Sequence, residues 1–132
     1  MKIMIDTNII ISAALFPNGK AAQAFYKSLT PPFEPIVCDY VVDEVHRKFQ
    51  EKWPDRVVEL EEFLDSALTD IQLVPTPEVE TAEEAEIRDP KDRPILRAAL
   101  NEHADMFITG DKDCRLHDRL QAAVCHPSVY AL

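Results

Sequence analysis

Two glycines, Gly19 and Gly110, are all that the 132 residues contain. Neither a P-loop nor a GxGxxG turn can be assembled from them, because both need several glycines to let the backbone approach a phosphate. A GxSxG nucleophile elbow is missing as well, and no Cys–His pair for nucleophilic catalysis is legible. Cysteine is scarce: Cys38, Cys114 and Cys125 are odd in number and form no CxxC, so they read as reduced thiols in a cytoplasmic protein. Cys114 and His117 make a CxxH, but no second pair completes a structural zinc site. Long apolar runs are missing too. The longest, Ile9 to Phe16, includes Ser12 and is far too short to span a bilayer. Only Lys2 precedes Asp6 as a charge, and no signal-peptide apolar core follows it, so no membrane association is expected.

The chain is also short of positive charge, with 14 Lys and Arg against 24 Asp and Glu and a net charge of −10. Such a balance ordinarily argues against a nucleic-acid partner. The placement of the charges removes that objection. Residues 55–86 hold eleven acids against the single Arg56, and the rest of the chain is balanced, thirteen against thirteen. The acidic stretch reads as a solvated helix face followed by a polar loop. If four of the remaining acids bind metal, the surface around them is positive by about four charges, so a polyanionic substrate is compatible with the composition. The length suits a single domain, residues 1–132, able to bury about two-thirds of the surface of its unfolded chain.

Proline is the abundant punctuation, with ten residues. Between the prolines lie short apolar runs that predict buried strands at 2–6, 35–38, 71–75, 105–109 and 122–126. Helical patterns fill the gaps at roughly 8–16, 20–29, 39–52, 55–69, 91–103 and 112–120. The clearest helix places Val57, Leu60, Leu64, Ala67 and Leu68 on one face. Strands alternating with helices predict an α/β fold, a parallel sheet covered on both faces. In such a sheet all strand ends of one polarity share an edge, and ligands bind there.

That edge collects carboxylates. Asp6 closes the run Ile3-Met4-Ile5 just before a second apolar run, Ile9-Ile10-Ile11, so it is partly withdrawn from water and needs a partner or a cation. MFITGD brings Asp111 to the end of the fourth strand, with Asp113 two residues on. In DYVVDEVHRKF the apolar face is Val41, Val42, Val45 and Phe49, with Glu44 at its flank and Asp43 turned further toward solvent. In DRPILRAAL, Asp92 heads the stripe of Ile95, Leu96 and Ala99. Each acid has a competing structural role: helix capping for Asp6 and Asp111, a surface salt bridge for Glu44, and for Asp92 a capping box with Asp89 as N-cap. Together they converge. Four carboxylates about 5 Å apart repel by roughly 3 kcal/mol per pair at an effective dielectric of 20, a load relieved by protons or a cation. Without His or Cys companions the set suits Mg²⁺ or Mn²⁺. With no cofactor loop, a metal cluster of this kind fits phosphoester hydrolysis.

The segments IDTNIIISAAL, the Glu on the helix after the second strand, DPKDRPILRAAL and MFITGDKD resemble, in order, those of the PIN-domain ribonucleases. The likeness is strongest to toxin components of VapC-type toxin–antitoxin pairs. It implies a three-layer α/β/α fold with a parallel sheet of four or five strands, and an acidic quartet of Asp6, Glu44, Asp92 and Asp111 with Asp113 as a fifth ligand. It implies supporting roles for Asn8 and Thr109, Mg²⁺ or Mn²⁺ as cofactor, cleavage of RNA to 5′-phosphate and 3′-hydroxyl ends, a homodimer, and restraint by a small antitoxin. Where the family often continues GDKD with two apolar residues, Cys114-Arg115 follows here. Candidate phosphate contacts are Lys20, Arg47, Lys48, Lys91, Arg93 and Lys112. The reading is a metal-dependent endoribonuclease, and the alternative is an inactive PIN scaffold acting through protein or RNA binding. A receiver-like signalling domain would need an acceptor Asp ending the central strand and a Lys ending a later one, neither legible. DTN in place of DxD excludes the phosphatase-type hydrolases.

Overall fold

The computed structural model describes residues 1–80, 82, 90 and 93–109, and the backbone of 123–125. Strand β1 (Lys2–Ile5) leads into helix α1 (Thr7–Leu15) and helix α2 (Lys20–Ser28). Strand β2 (Glu34–Cys38) runs directly into α3 (Asp39–Lys52), and a 3₁₀ turn at Pro54–Arg56 precedes α4 (Val57–Leu68). Then come β3 (Gln72–Val74), α5 (Arg93–Asn101), β4 (Met106–Ile108) and β5 (Ala123–Cys125). The helix predicted at 112–120 lies outside the described residues.

The five strands form one sheet in the order β3-β2-β1-β4-β5, every pair parallel. The chain steps outward from β1 to β2 and β3, then returns to the other side of β1 for β4 and β5. The order therefore reverses between β1 and β4, the switch point at which open α/β sheets leave a crevice beyond their strand ends. Helices α1, α2, α3 and α4 pack on one another. With the strand order stepping one way to β3 and then back past β1, the right-handed rule for parallel crossovers assigns these helices to one face of the sheet and α5 to the other, the three-layer arrangement.

Burial explains why the apolar runs take these forms. Ile3, Met4, Ile5, Ile36, Val37, Phe107 and Ile108 are withdrawn from solvent, as strands covered on both faces require. In α1, Thr7, Ile9, Ile10, Ile11, Ala13 and Ala14 are all buried, so this helix is apolar nearly all round and lies within the helical layer. Its β-branched run would suit a strand equally well by propensity, and tertiary packing decides for helix. Further along the chain, α5 closes at Asn101, slightly short of its predicted end. His103 takes φ 54°, and Ala104 N–H donates to the Ala99 carbonyl, a left-handed helix stop.

Candidate functional site

Asp6 follows β1 directly, with its backbone still extended and its N–H donating to the Ile108 carbonyl at 3.1 Å. That bond continues the β1–β4 pairing by one residue and fixes the carboxylate at the sheet's switch point. One carboxylate oxygen, Oδ1, accepts the Thr7 N–H at 2.8 Å, which makes Asp6 the N-cap of α1. Oδ2 accepts the hydroxyl of Thr109, the residue after β4, at 3.0 Å. Asp6 thus bridges the ends of the two strands that flank the crevice. The capping role expected of it is real, and it occupies only one of the two oxygens.

Glu44 enters from α3. It is one of four buried polar residues in the described core, 8% exposed, while Asp43 beside it is exposed. Strand β2 passes into α3 without a loop, so the start of the helix is anchored to the sheet edge. Asp39 strengthens the anchor, accepting the Tyr40 N–H at 2.8 Å and the Thr76 N–H at 3.0 Å, with the Thr76 hydroxyl on the same oxygen. This clamp between α3 and the exit of β3 is not legible in the sequence; an Asp at the first position of a helix is its only local signal.

The electrostatics bind these elements into one site. Burial raises the carboxyl of Asp6 above its ordinary value, the Thr109 and Thr7 hydrogen bonds lower it, Glu44's negative charge raises it further, and Lys48's ammonium pulls it down. The net direction is up, so the metal-free surroundings disfavour the Asp6 anion. Two carboxylates within each other's field, one buried and one half-buried, without a nitrogen or sulfur donor in the set, match the chemistry of a small hard divalent cation. Among the described residues there is no group of three or more His, Cys, Asp or Glu placed to hold a metal. Asp92, Asp111 and Asp113 lie outside the described residues, as do Lys91 and Lys112.

The remaining candidates divide by position. Thr109 is buried at Asp6, and Asn8 is exposed on the first turn of α1. Lys48 is half-buried one helical turn beyond Glu44, Arg47 is exposed, and Arg93 is half-buried at the start of α5. Lys20 opens α2 beyond the far end of α1, so a nine-residue helix, about 13 Å long, separates it from Asp6.

The sequence model of the PIN domain matches residues 2–113, a span containing all five candidate acids. The chain belongs to the PIN-domain family. A solved structure of VapBC2 from Rickettsia felis bound to a DNA fragment from their promoter has a chain similar to this PIN domain at a TM-score of 0.73 and 15% identity, covering 96% of this chain and 98% of that one. A structure of FitAB bound to an IR36 DNA fragment contains another, at a TM-score of 0.64 and 21% identity, covering 95% and 94%. At these identities the likeness shows the fold, and it spans nearly all of both chains. No curated protein matches the sequence. Among the described residues of this PIN domain, no helix is long and apolar enough to cross a membrane.

Proposed function

We propose that this PIN domain is a metal-dependent endoribonuclease, and that it is the toxin of a toxin–antitoxin pair. The observation that carries the reading is the meeting of Asp6, Thr109 and Glu44 at the switch point between β1 and β4, where an α/β sheet holds its ligand. In this proposal Asp6, Glu44, Asp92 and Asp111 hold Mg²⁺ or Mn²⁺, with Asp113 as a further ligand. Bound there, the cation supplies a water of lowered pKa and charge to stabilise the leaving oxygen. The chain's own residues do the positioning. Thr7 N–H and the Thr109 hydroxyl each take one lone pair of the Asp6 carboxylate and leave the others for a cation. Asn8 supports the opening of α1 on the same side. Hydrolysis joins the water oxygen to phosphorus and breaks the bond to the 3′-oxygen, leaving 5′-phosphate and 3′-hydroxyl ends. Arg47, Lys48, Arg93, Lys91, Lys112 and Lys20 are proposed to track the RNA backbone.

The fold likeness to VapBC2 and FitAB, both solved on DNA, supports an antitoxin as protein partner; a small antitoxin and a homodimer as the working form are part of the proposal. The nuclease test is cleavage of single-stranded RNA by purified protein with Mg²⁺ or Mn²⁺, abolished by EDTA and by Asp6→Ala. Binding should weaken with salt as phosphate contacts release counterions. RNA bound but uncut by wild type with either metal would favour the inactive scaffold. The partner test is co-purification with the product of an adjacent small reading frame.

A further inference from the structure

Lys48 is placed unusually for a surface lysine. It lies four residues after Glu44 on α3, hence on the same helix face, in the Glu-to-Lys order that favours attraction along a helix. Glu44 is buried and Lys48 half-buried, so part of the lysine stem is covered by the protein beside the carboxylate's helix face. Its charge reaches across to Asp6, which caps α1, an element packed against α3. Yet Lys48 makes no contact ion pair with either acid among the described residues. A cation held by field alone, without a hydrogen bond to lose, can be displaced at little cost.

We infer that Lys48 is the resident counter-cation of the Asp6–Glu44 pair in the metal-free protein, and that a divalent metal enters by taking over this role and releasing the ammonium. The inference rests on the proposed metal site. Lys48 is then a positioning residue: it keeps the two carboxylates together before metal arrives, and it weakens metal affinity by the charge it contributes. The two effects are opposite in sign, which a lysine that only contacts RNA or only packs would not produce.

The experiment uses wild type, Lys48→Met, Lys48→Arg and Asp6→Asn, with Mn²⁺ binding followed by the electron paramagnetic resonance of the free ion and unfolding followed in EDTA. Lys48→Met should lower the melting temperature in EDTA and tighten Mn²⁺ binding at least about threefold, because a positive charge has left the cation's neighbourhood. Lys48→Arg, which keeps the charge, should restore both values. A Lys48→Met chain that folds only when Mn²⁺ is supplied supports the exchange; one that Mn²⁺ does not rescue overturns it. Unchanged Mn²⁺ affinity in Lys48→Met, with a flatter salt dependence of RNA binding, would overturn it in favour of a plain phosphate contact. If wild type binds Mn²⁺, Asp6→Asn does not and Lys48→Met matches wild type, only the role of Lys48 fails. A wild type that binds no Mn²⁺ sinks the metal site and the exchange together.

Discussion

Asp6→Asn should change sign as a stability mutation when metal is added. Asparagine caps a helix as well as aspartate, so the Thr7 N–H keeps its acceptor. The side-chain amide faces Thr109, whose hydroxyl can rotate from donor to acceptor, so that contact survives too. Replacing two charge-assisted bonds with neutral ones costs about 2 kcal/mol in all. Against this stands the relief of a half-buried charge and of its repulsion by Glu44. Desolvation of a carboxylate amounts to several kcal/mol. The raised carboxyl of Asp6 shows which side wins: the surroundings prefer the neutral form. The net gain without metal is on the order of 1 kcal/mol, or about 3–5 °C in melting temperature for a domain of this length. Mn²⁺ at 100 times its dissociation constant adds about 2.7 kcal/mol to wild type and nothing to the variant. Asp6→Asn should therefore melt above wild type in EDTA and below it in millimolar Mn²⁺. The EDTA advantage should also depend on pH. Because the folded carboxyl is raised above the ordinary 3.8, its stabilising protonation is complete at low pH and lost as pH climbs through the folded value. The variant's advantage should vanish near pH 4 and grow above it. Thermal unfolding by circular dichroism, in EDTA and in Mn²⁺ at several pH values, measures all of this. An Asp6→Asn protein less stable than wild type in EDTA, with equal Mn²⁺ shifts in both, would refute the reasoning.

Thr7 is 2% exposed and its hydroxyl has no hydrogen-bond partner among the described residues, so Thr7→Val should stabilise by about 1 kcal/mol in chemical denaturation; a comparable loss would mean that the hydroxyl binds a partner such as a water or ion. His103 holds a left-handed φ of 54°, and His103→Gly should raise the melting temperature by the equivalent of about 0.5–1 kcal/mol; a lowered melting temperature would refute backbone strain as the dominant effect there. Phe107 is fully buried in β4, and Phe107→Ala should cost about 3–5 kcal/mol by urea unfolding; a cost under about 1 kcal/mol would contradict its central place. Asp89→Ala should lose about 1 kcal/mol and little RNA cleavage if Asp89 is an N-cap, whereas Asp92→Ala should abolish cleavage and leave metal-free stability intact. The reverse pattern would reassign the two acids.

How far the site is legible in the sequence differs residue by residue. Glu44 and Asp43 are separable there, because a helix of 3.6 residues per turn assigns each position an angle from its apolar stripe. The structure buries the first and exposes the second. Lys20 reads as a neighbour of the site from its place in the chain, but it lies beyond the far end of α1 from Asp6. Asp39 gives no such sign because its partner, Thr76, is 37 residues away.

Periodicity and proline punctuation were enough for the order of strands and helices, the parallel class of the sheet and the inward flank of α3, since each is a local property of backbone geometry and side-chain spacing. They could not say which strands are neighbours. The order β3-β2-β1-β4-β5 puts β1 beside β4, residues about a hundred apart in the chain, and only that pairing brings the Thr109 hydroxyl to Asp6. The burial of Asp6, and with it the direction in which its carboxyl is pushed, is likewise set by the elements packed around it, because desolvation and charge act through space and leave no pattern in the order of residues.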